Sequence, residues 1–391
     1  MARRHIETGI DIGSSNVRVV VSEYVESAPL PVIIGTGIAE ARGMRHGYIV
    51  NVAEAAGSIR LALLQAEKSS GTKIKRVFIA VGGISVESET AHGSVFVSRA
   101  DNEVTDTDIS HALSSAEEHL NKITNKEILQ QIPISFILDN EQIWGKPQGM
   151  KGSRLEATVL FITCLAQHLH DFMEAAEQAG VSVDDVLPSP IAASFVTLTK
   201  RQKTAGCVLA NIGAETLSLA VFENDVPISL KIFPIGGMEI TNDIALGLRV
   251  PLEEAEEIKR GSRVSVYSKK RVGDIVEARL SDIFDLINAH LKKIGKQGLL
   301  PAGIIMTGGS SAIPFIEEIA KKTLEIPSKV ASPDFAKNTK NQIHDASWAV
   351  AYGLTIMGLD ENGNEAGGML SPRTRAGIWD ALKRAVKQFL P

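Results

Sequence analysis

Two stretches of this chain carry the same pattern. TGIDIGSSNVRVVV, beginning at Thr8, and CVLANIGAETLSLAVF, beginning at Cys207, lie about 200 residues apart. Each runs an apolar strand into Ile-Gly, a small polar turn and a second strand. A two-stranded unit cannot bury its apolar face alone, so two copies at this distance imply duplicated domains that face each other. A third glycine turn, TGGSS (Thr307 to Ser311), also follows an apolar strand. Glycine lets backbone N–H groups approach an anion closely, and hydroxyls add donors. Gly308 and Gly309 also precede a helix, whose N-terminus favours negative charge. An ordinary hairpin uses such residues too; three turns in this order are a far stronger signal for phosphate. Asp11, before the first turn, could hold Mg²⁺ through water, since magnesium prefers carboxylate and phosphate oxygens.

Between the copies the texture changes. NVAEAAGSIRLALLQAEKSSG has helical apolar spacing closed by Gly71, and KIKRVFIAVGG reads as a strand, giving an α/β layer. From Ile84 to about Cys164 come a polar hairpin, a Thr/Asp-capped helix, a strand pair and a glycine-rich loop, together a compact inserted subdomain. His168 and His170 follow on a helix without a metal-ligand constellation and are expected in packing or at the surface. Cys164 and Cys207 sit in apolar runs and are expected to be buried thiols in a reducing compartment. The 391 residues exceed one hydrophobic core, and 41 Lys plus Arg against 46 Asp plus Glu exclude non-specific nucleic-acid binding. The opening MARRHIETGIDIG lacks a signal-peptide apolar stretch, and no run spans a bilayer, so a cytoplasmic chain is expected.

DIGSSN, NIGAET, AEEIK and IIMTGGSSAIP resemble the two phosphate loops, nucleotide-clamping helix and adenosine motif of the actin-like ATPase superfamily. Within it, GGMEITNDIALGL, PLEEAEEIKRG and LPAGIIMTGGSS look like the FtsA family of bacterial cell-division proteins, over nearly the whole chain including the insert. The resemblance implies an actin-like two-domain α/β fold, duplicated ribonuclease-H-like domains around a nucleotide cleft, with an inserted subdomain 1C. It divides the chain into subdomain 1A (1–83 and 165–193), 1C (84–164), 2A (194–236 and 304–346), 2B (237–303) and a return helix to 1A (347–358).

By the same resemblance, ATP with Mg²⁺ is the implied cofactor. Gly13, Ser14, Ser15 and Asn16 would meet the β- and γ-phosphates, and Gly213, Ala214, Glu215 and Thr216 form the second loop. Gly236 and Gly237 join the nucleotide set; Gly308, Gly309 and Ser310 would line the α-phosphate and adenosine. Glu256 and Lys259 would flank ribose and adenine; without the family they read equally as a solvated i,i+3 pair. The chain departs from the family at Asn211, Ala214, Glu215, Ser218 and Ser189, which stand where the family has aspartate, glycine or glutamate. Losing those carboxylates removes groups that hold Mg²⁺ or polarise water, so at most a weak ATPase is expected. Glu215, if it faced the phosphates, would repel them.

DENGNEAGGMLSPRTR, within residues 359–375, reads as a flexible linker, and 376–391 as a helix. Ile378, Trp379, Leu382, Val386, Phe389 and Leu390 gather on one side of that helix, and Lys383, Arg384 and Lys387 on the other. Such a face is the signature of a helix lying in an anionic membrane interface; the alternative is docking on its own domain. The resemblance then implies a peripheral protein on the cytoplasmic face of the inner membrane at the division site. It would self-associate into filaments and bind the FtsZ C-terminal peptide in 2B, with other division proteins as further partners. Arg279 is the candidate for that groove, or else a solvated helix-surface arginine. Two other functions fit the same sequence: a pilus-assembly platform like PilM, and an enzyme like the sugar kinases.

Overall fold

The computed structural model describes residues 5–25, 30–121, 124–262, 267–332, 343 and 345–357. The linker and amphipathic-helix expectations for 359–391 lie outside the described residues. In the first half, β1 (Ile6–Ile12), β2 (Asn16–Glu23) and β3 (Val32–Glu40) form an antiparallel meander. A small hairpin, β4 (Met44–Arg45) and β5 (Tyr48–Ile49), leads into α1 (Val52–Ser70) and β6 (Arg76–Val81), which lies parallel to β1. The chain returns later with α3 (Ala166–Gln178), β11 (Ser182–Pro188), parallel to β6, and α4 (Ser189–Thr197). The resulting sheet order is β11-β6-β1-β2-β3.

The second half repeats this order. After α5 (Lys200–Ala205), the meander β12 (Cys207–Ile212), β13 (Leu217–Glu223) and β14 (Val226–Phe233) is followed by α6 (Gly237–Leu248), α7 (Leu252–Lys259) and α8 (Lys269–Lys293). Then β15 (Ile304–Thr307) joins β12 in parallel, and β16 (Ser328–Val330), after α9 (Ile316–Leu324), joins β15. The sheet therefore reads β16-β15-β12-β13-β14, the same topology as the first. Two apolar strands and a glycine turn thus specify the same meander twice.

The insert is β7 (Glu87–Phe96), α2 (Asp106–Glu118), β8 (Lys126–Leu138), β9 (Glu141–Ile143) and β10 (Arg154–Leu165). Its helix starts in a capping box between Thr105 and Asp108 and lies on β7 at Gly93, where a side chain would strike the backbone at Ala112 and Ala116. Although it departs from the first half, its sheet continues the second: β7 meets the edge of β14 at Lys231 and Glu87. Ser88 reinforces the join, its Oγ donating to the Leu230 carbonyl and accepting from the Leu230 N–H, both at 2.8 Å.

The main core joins Ile10, Val19 and Ile79 of the first half to Leu129 and Ile162 of the insert and to Leu209 and Ile232 of the second half; a further core in the second half holds Leu219, Ile283 and Phe284, and one in the insert holds Leu155, Val159 and Phe161. Cys164 and Cys207 are buried free thiols, both pushed up to about 12 by burial. Finally α10 (Ala349–Met357) recrosses to the first half and packs between α4 and β1. Two glycines permit the approach: a Cβ on Gly353 would lie 1.8 Å from the Ala192 carbonyl oxygen, and one on Gly9 would lie 2.2 Å from that of Ala351. Replacing Gly353→Ala should overpack this junction and lower stability by about 1–3 kcal/mol or more, seen as a fall in the urea unfolding midpoint; an unchanged midpoint would mean that the helices separate freely.

Candidate functional site

The two meanders turn toward each other, and between them lies a cleft of about 590 Å³. That is within the ordinary size of a small-molecule or cofactor site. Its two phosphate-loop candidates are conformational copies. In the first, Gly13 N–H donates to the Asn16 carbonyl at 3.1 Å; in the second, Gly213 N–H donates to the Thr216 carbonyl at 2.8 Å. A Cβ on either glycine would come within 2.9 or 3.0 Å of that same carbonyl oxygen, so each turn needs glycine for the same steric reason.

Gly13, Ser14, Ser15, Asn16, Gly213, Ala214 and Thr216 all line the cleft. The third turn joins them: Gly308, Gly309 and Ser310 line it too, and Ser310 Oγ ties this turn to the second loop by donating to the Gly213 carbonyl at 2.9 Å. Gly308 takes φ 89°, and Gly309 has open space where a side chain would project. On the adjoining wall, Glu256 and Lys259 form a contact pair at 2.6 Å. Glu256 also accepts from Thr241 Oγ1 at 2.6 Å and from Arg260 Nε at 2.9 Å, so its carboxylate is fixed in place and held below the usual carboxylate range despite its burial. The pair is thus both the i,i+3 ion pair and part of the cleft wall.

Three nucleotide assignments do not face the cleft. Glu215 turns away from the position where phosphates would lie: its Oε2 accepts from the His46 N–H at 2.6 Å. The expected repulsion therefore does not arise, because this carboxylate is occupied by a backbone amide of the opposite half. Gly47 N–H beside it donates to Ser14 Oγ at 3.1 Å, so the β4–β5 hairpin touches both loops. Gly236 and Gly237 lie behind the second loop, where Gly237 N–H donates to the Gly213 carbonyl at 2.9 Å and a Cβ on Gly236 would strike Ala214. Arg279, the partner-groove candidate, is ion-paired between two helices. Its Nε and Nη2 hold the Asp243 carboxylate at 2.6 and 3.1 Å, tying α8 to α6. His168 is in packing, its Nε2 2.9 Å from the Gly82 carbonyl and its ring against Tyr48, and burial holds it down at about 4.

Asp11, assigned to Mg²⁺, lines the cleft with Arg18 directly opposite it across the β1–β2 register. Arg18 is the residue that sequence reasoning missed. Its one signal is a lone charge in the apolar run NVRVVV, and the register is needed to show which face that charge takes. The corresponding pair of the second meander is Asn211 and Ser218, also cleft-lining and uncharged. Among the described residues no three His, Cys, Asp or Glu side chains gather as metal ligands. The turns, Glu256 and Lys259 thus suit a nucleotide; of the three cleft acids Glu256 and Asp345 are engaged elsewhere and Asp11 is faced by a guanidinium, a poor set for a protein-held divalent cation.

Burial pushes the Asp11 carboxyl up to about 6, the Arg18 charge pulling it back only in part. A folded value above the unfolded one, 3.8, means that the folded chain keeps a proton the unfolded chain has lost. Stability should therefore fall as pH rises from about 4 to about 6 and stay level above. Asp11→Asn should remove that fall and raise stability at pH 7 by about 1–3 kcal/mol, the lower end being expected because Asp11 keeps some surface on the cleft. Urea unfolding of both proteins at pH 4 and 7 decides; a gap that does not grow with pH would contradict it.

Comparison with known proteins follows this geometry. The family profile "Cell division protein FtsA" matches residues 208–353, and "SHS2 domain inserted in FTSA" matches residues 83–163. FtsA of Bacillus subtilis (strain 168) is 30% identical over 358 residues, covering 86% of this chain and 80% of the relative. FtsA of Pseudomonas aeruginosa is 28% identical, covering 97% of each. Among solved structures, the PilM-PilN type IV pilus biogenesis complex aligns with a TM-score of 0.69 at 19% identity, over 90% of this chain and 98% of that one. MreB5 of Spiroplasma citri bound to ADP aligns at 0.54 and 12% identity, over 92% and 99%. These two show the fold, an actin-like one.

Proposed function

The chain belongs to the FtsA family of cell-division proteins, and on that premise we propose that it binds ATP in the cleft, polymerises on the cytoplasmic face of the cell membrane and tethers FtsZ filaments there. The observation that carries the nucleotide part is the matched pair of glycine turns facing each other, with Glu256 and Lys259 on the adjoining wall. Backbone N–H groups and the hydroxyls of Ser14, Ser15 and Thr216 would take phosphate oxygens, and the Glu256–Lys259 wall would flank the sugar and base. MreB5, which shares the fold, holds ADP in a comparable duplicated architecture.

The chain's own residues argue against fast hydrolysis. The described carboxylates that line the cleft are Asp11, Glu256 and Asp345. Glu256 is engaged by Thr241, Lys259 and Arg260, Asp345 accepts from the Ser347 N–H at 2.8 Å, and Asp11 faces Arg18. Asn211, Ser218 and Ser189 line the cleft without a charge. Among the described residues Glu256 and Asp345 are already engaged and Asp11 is the one cleft acid left to polarise a water, so hydrolysis is at most weak and nucleotide acts as a state marker of the filament more than as fuel.

For the membrane part, the support is the basic amphipathic sequence from Ile378 to Leu390. Among the described residues no helix is long and apolar enough to cross a membrane. The insert adds two large exposed side chains, Phe96 at 80% and Trp144 at 79%, which suit self-association. The FtsZ C-terminal peptide is assigned to the 237–303 unit on family membership, without a role for the occupied Arg279.

Negative-stain microscopy on an anionic lipid monolayer with ATP tests the reading, comparing the full chain with one ending before Ser371. Filaments on lipid that vanish with the truncation are the expected result. Full-length protein that ignores lipid would overturn it in favour of the pilus platform or the kinase. Phosphate release should stay near background; brisk turnover would contradict the account of the cleft acids.

A further inference from the structure

Four side chains occupy equivalent places in the two meanders, and all four line the cleft. Asp11 faces Arg18 across the first, and Asn211 faces Ser218 across the second. Together they carry one negative charge and one positive, so the floor beneath the two turns is neutral, with a guanidinium built into it.

That guanidinium is uncommitted. Arg18 donates no hydrogen bond among the described residues, and its Nε is shielded from solvent without a partner. It lies over the Trp348 ring, 5.8 Å from its centre, and the charges of Asp11 and Asp345 act on it without a contact pair. Of the other cations lining the cleft, Lys259 is fully engaged and Arg260 stands out toward solvent. Lys259 Nζ gives its three protons to the Gly237 carbonyl at 3.0 Å, Thr241 Oγ1 at 2.9 Å and Glu256 at 2.6 Å. Arg260 pairs with Glu256 and is mostly exposed. A half-buried arginine whose shielded Nε has no partner is incomplete until an anion arrives, and its planar fork matches phosphate oxygens better than any other side chain.

We propose that Arg18 is the resident counter-cation of this cleft: it grips a terminal phosphate oxygen of a nucleoside di- or triphosphate, and nucleotide therefore binds without Mg²⁺. The proposal rests on the nucleotide-binding reading above. Mg²⁺ ordinarily neutralises such phosphates from a seat on one or two carboxylates. Here Asp11 shares the floor with the Arg18 guanidinium, whose charge competes with a divalent cation for the same site without contacting Asp11, and the matching second position is an asparagine.

The test is equilibrium binding of a fluorescent ADP analogue to the full chain, in Mg²⁺ and in EDTA. Affinities within about threefold of each other are expected. Arg18→Gln should weaken binding in EDTA by about 10- to 100-fold, the loss expected for a charge-assisted bond, and Arg18→Lys should recover part of it. Mg²⁺ should restore Arg18→Gln more than it improves the parent. Binding that EDTA abolishes in the unmodified chain would overturn the proposal and leave the nucleotide reading standing. So would an Arg18→Gln chain of unchanged circular dichroism that binds in EDTA as tightly as the parent. Absence of binding in both buffers would overturn the nucleotide reading and this inference together. Should Arg18→Gln not fold, the parent's metal dependence alone decides.

Discussion

Both passages of the chain between its halves meet at one packed junction. The outward passage runs through α4 and the return through α10, and they touch where Gly353 passes the Ala192 carbonyl. Thr307 Oγ1, at the third turn, donates to the Ala346 carbonyl at 2.9 Å, so the same junction anchors a cleft turn. Trp348, between that anchor and α10, lies beside Arg18. The cleft geometry thus descends from a backbone contact that tolerates no side chain, because close packing leaves no slack for either helix to shift.

Above the junction, electrostatics shape the site. In a low-dielectric cleft an uncompensated charge is costly, and the molecule answers this locally. Glu256 has three donors, Glu215 has a backbone amide, and Asp345 caps its own turn. Only the first meander's floor keeps opposed charges that do not touch. Asn211 and Ser218 put no charge on the corresponding floor of the second meander, so its turn keeps the same geometry without a charge to compensate.

Much of this was legible in the sequence where the signal is local. Gly13 and Gly213 announce their turns because each turn closes within four residues, and the capping box of α2 and the closing Gly71 of α1 are similarly short-range. The duplicated meander was legible because apolar alternation and turn chemistry repeat together. Illegible were the features that depend on register or on distant partners. Arg18 is one strand position from facing the other way, and nothing near Glu215 foretells that it will meet His46, 169 residues before it. Gly236 and Gly237 look like a phosphate loop but serve to back one, since they need close approach to Gly213 and Ser310. The pairing of Arg279 was illegible for a related reason: its partner Asp243 lies on another helix.

The join between β7 and β14 has a mechanical meaning. The insert is covalently part of the first half, yet its sheet joins the second through one ladder position, Ser88, the Lys231–Glu87 ion pair at 3.7 Å and a shared apolar core that includes Ile162 and Ile232. Opening the cleft must either shear Ser88 away from Leu230 or drag the insert along with the second half. In both cases the far surface of the insert, with Phe96 and Trp144, changes its attitude when the cleft changes its width. A neighbouring subunit seated on that surface would feel the contents of a cleft it never touches.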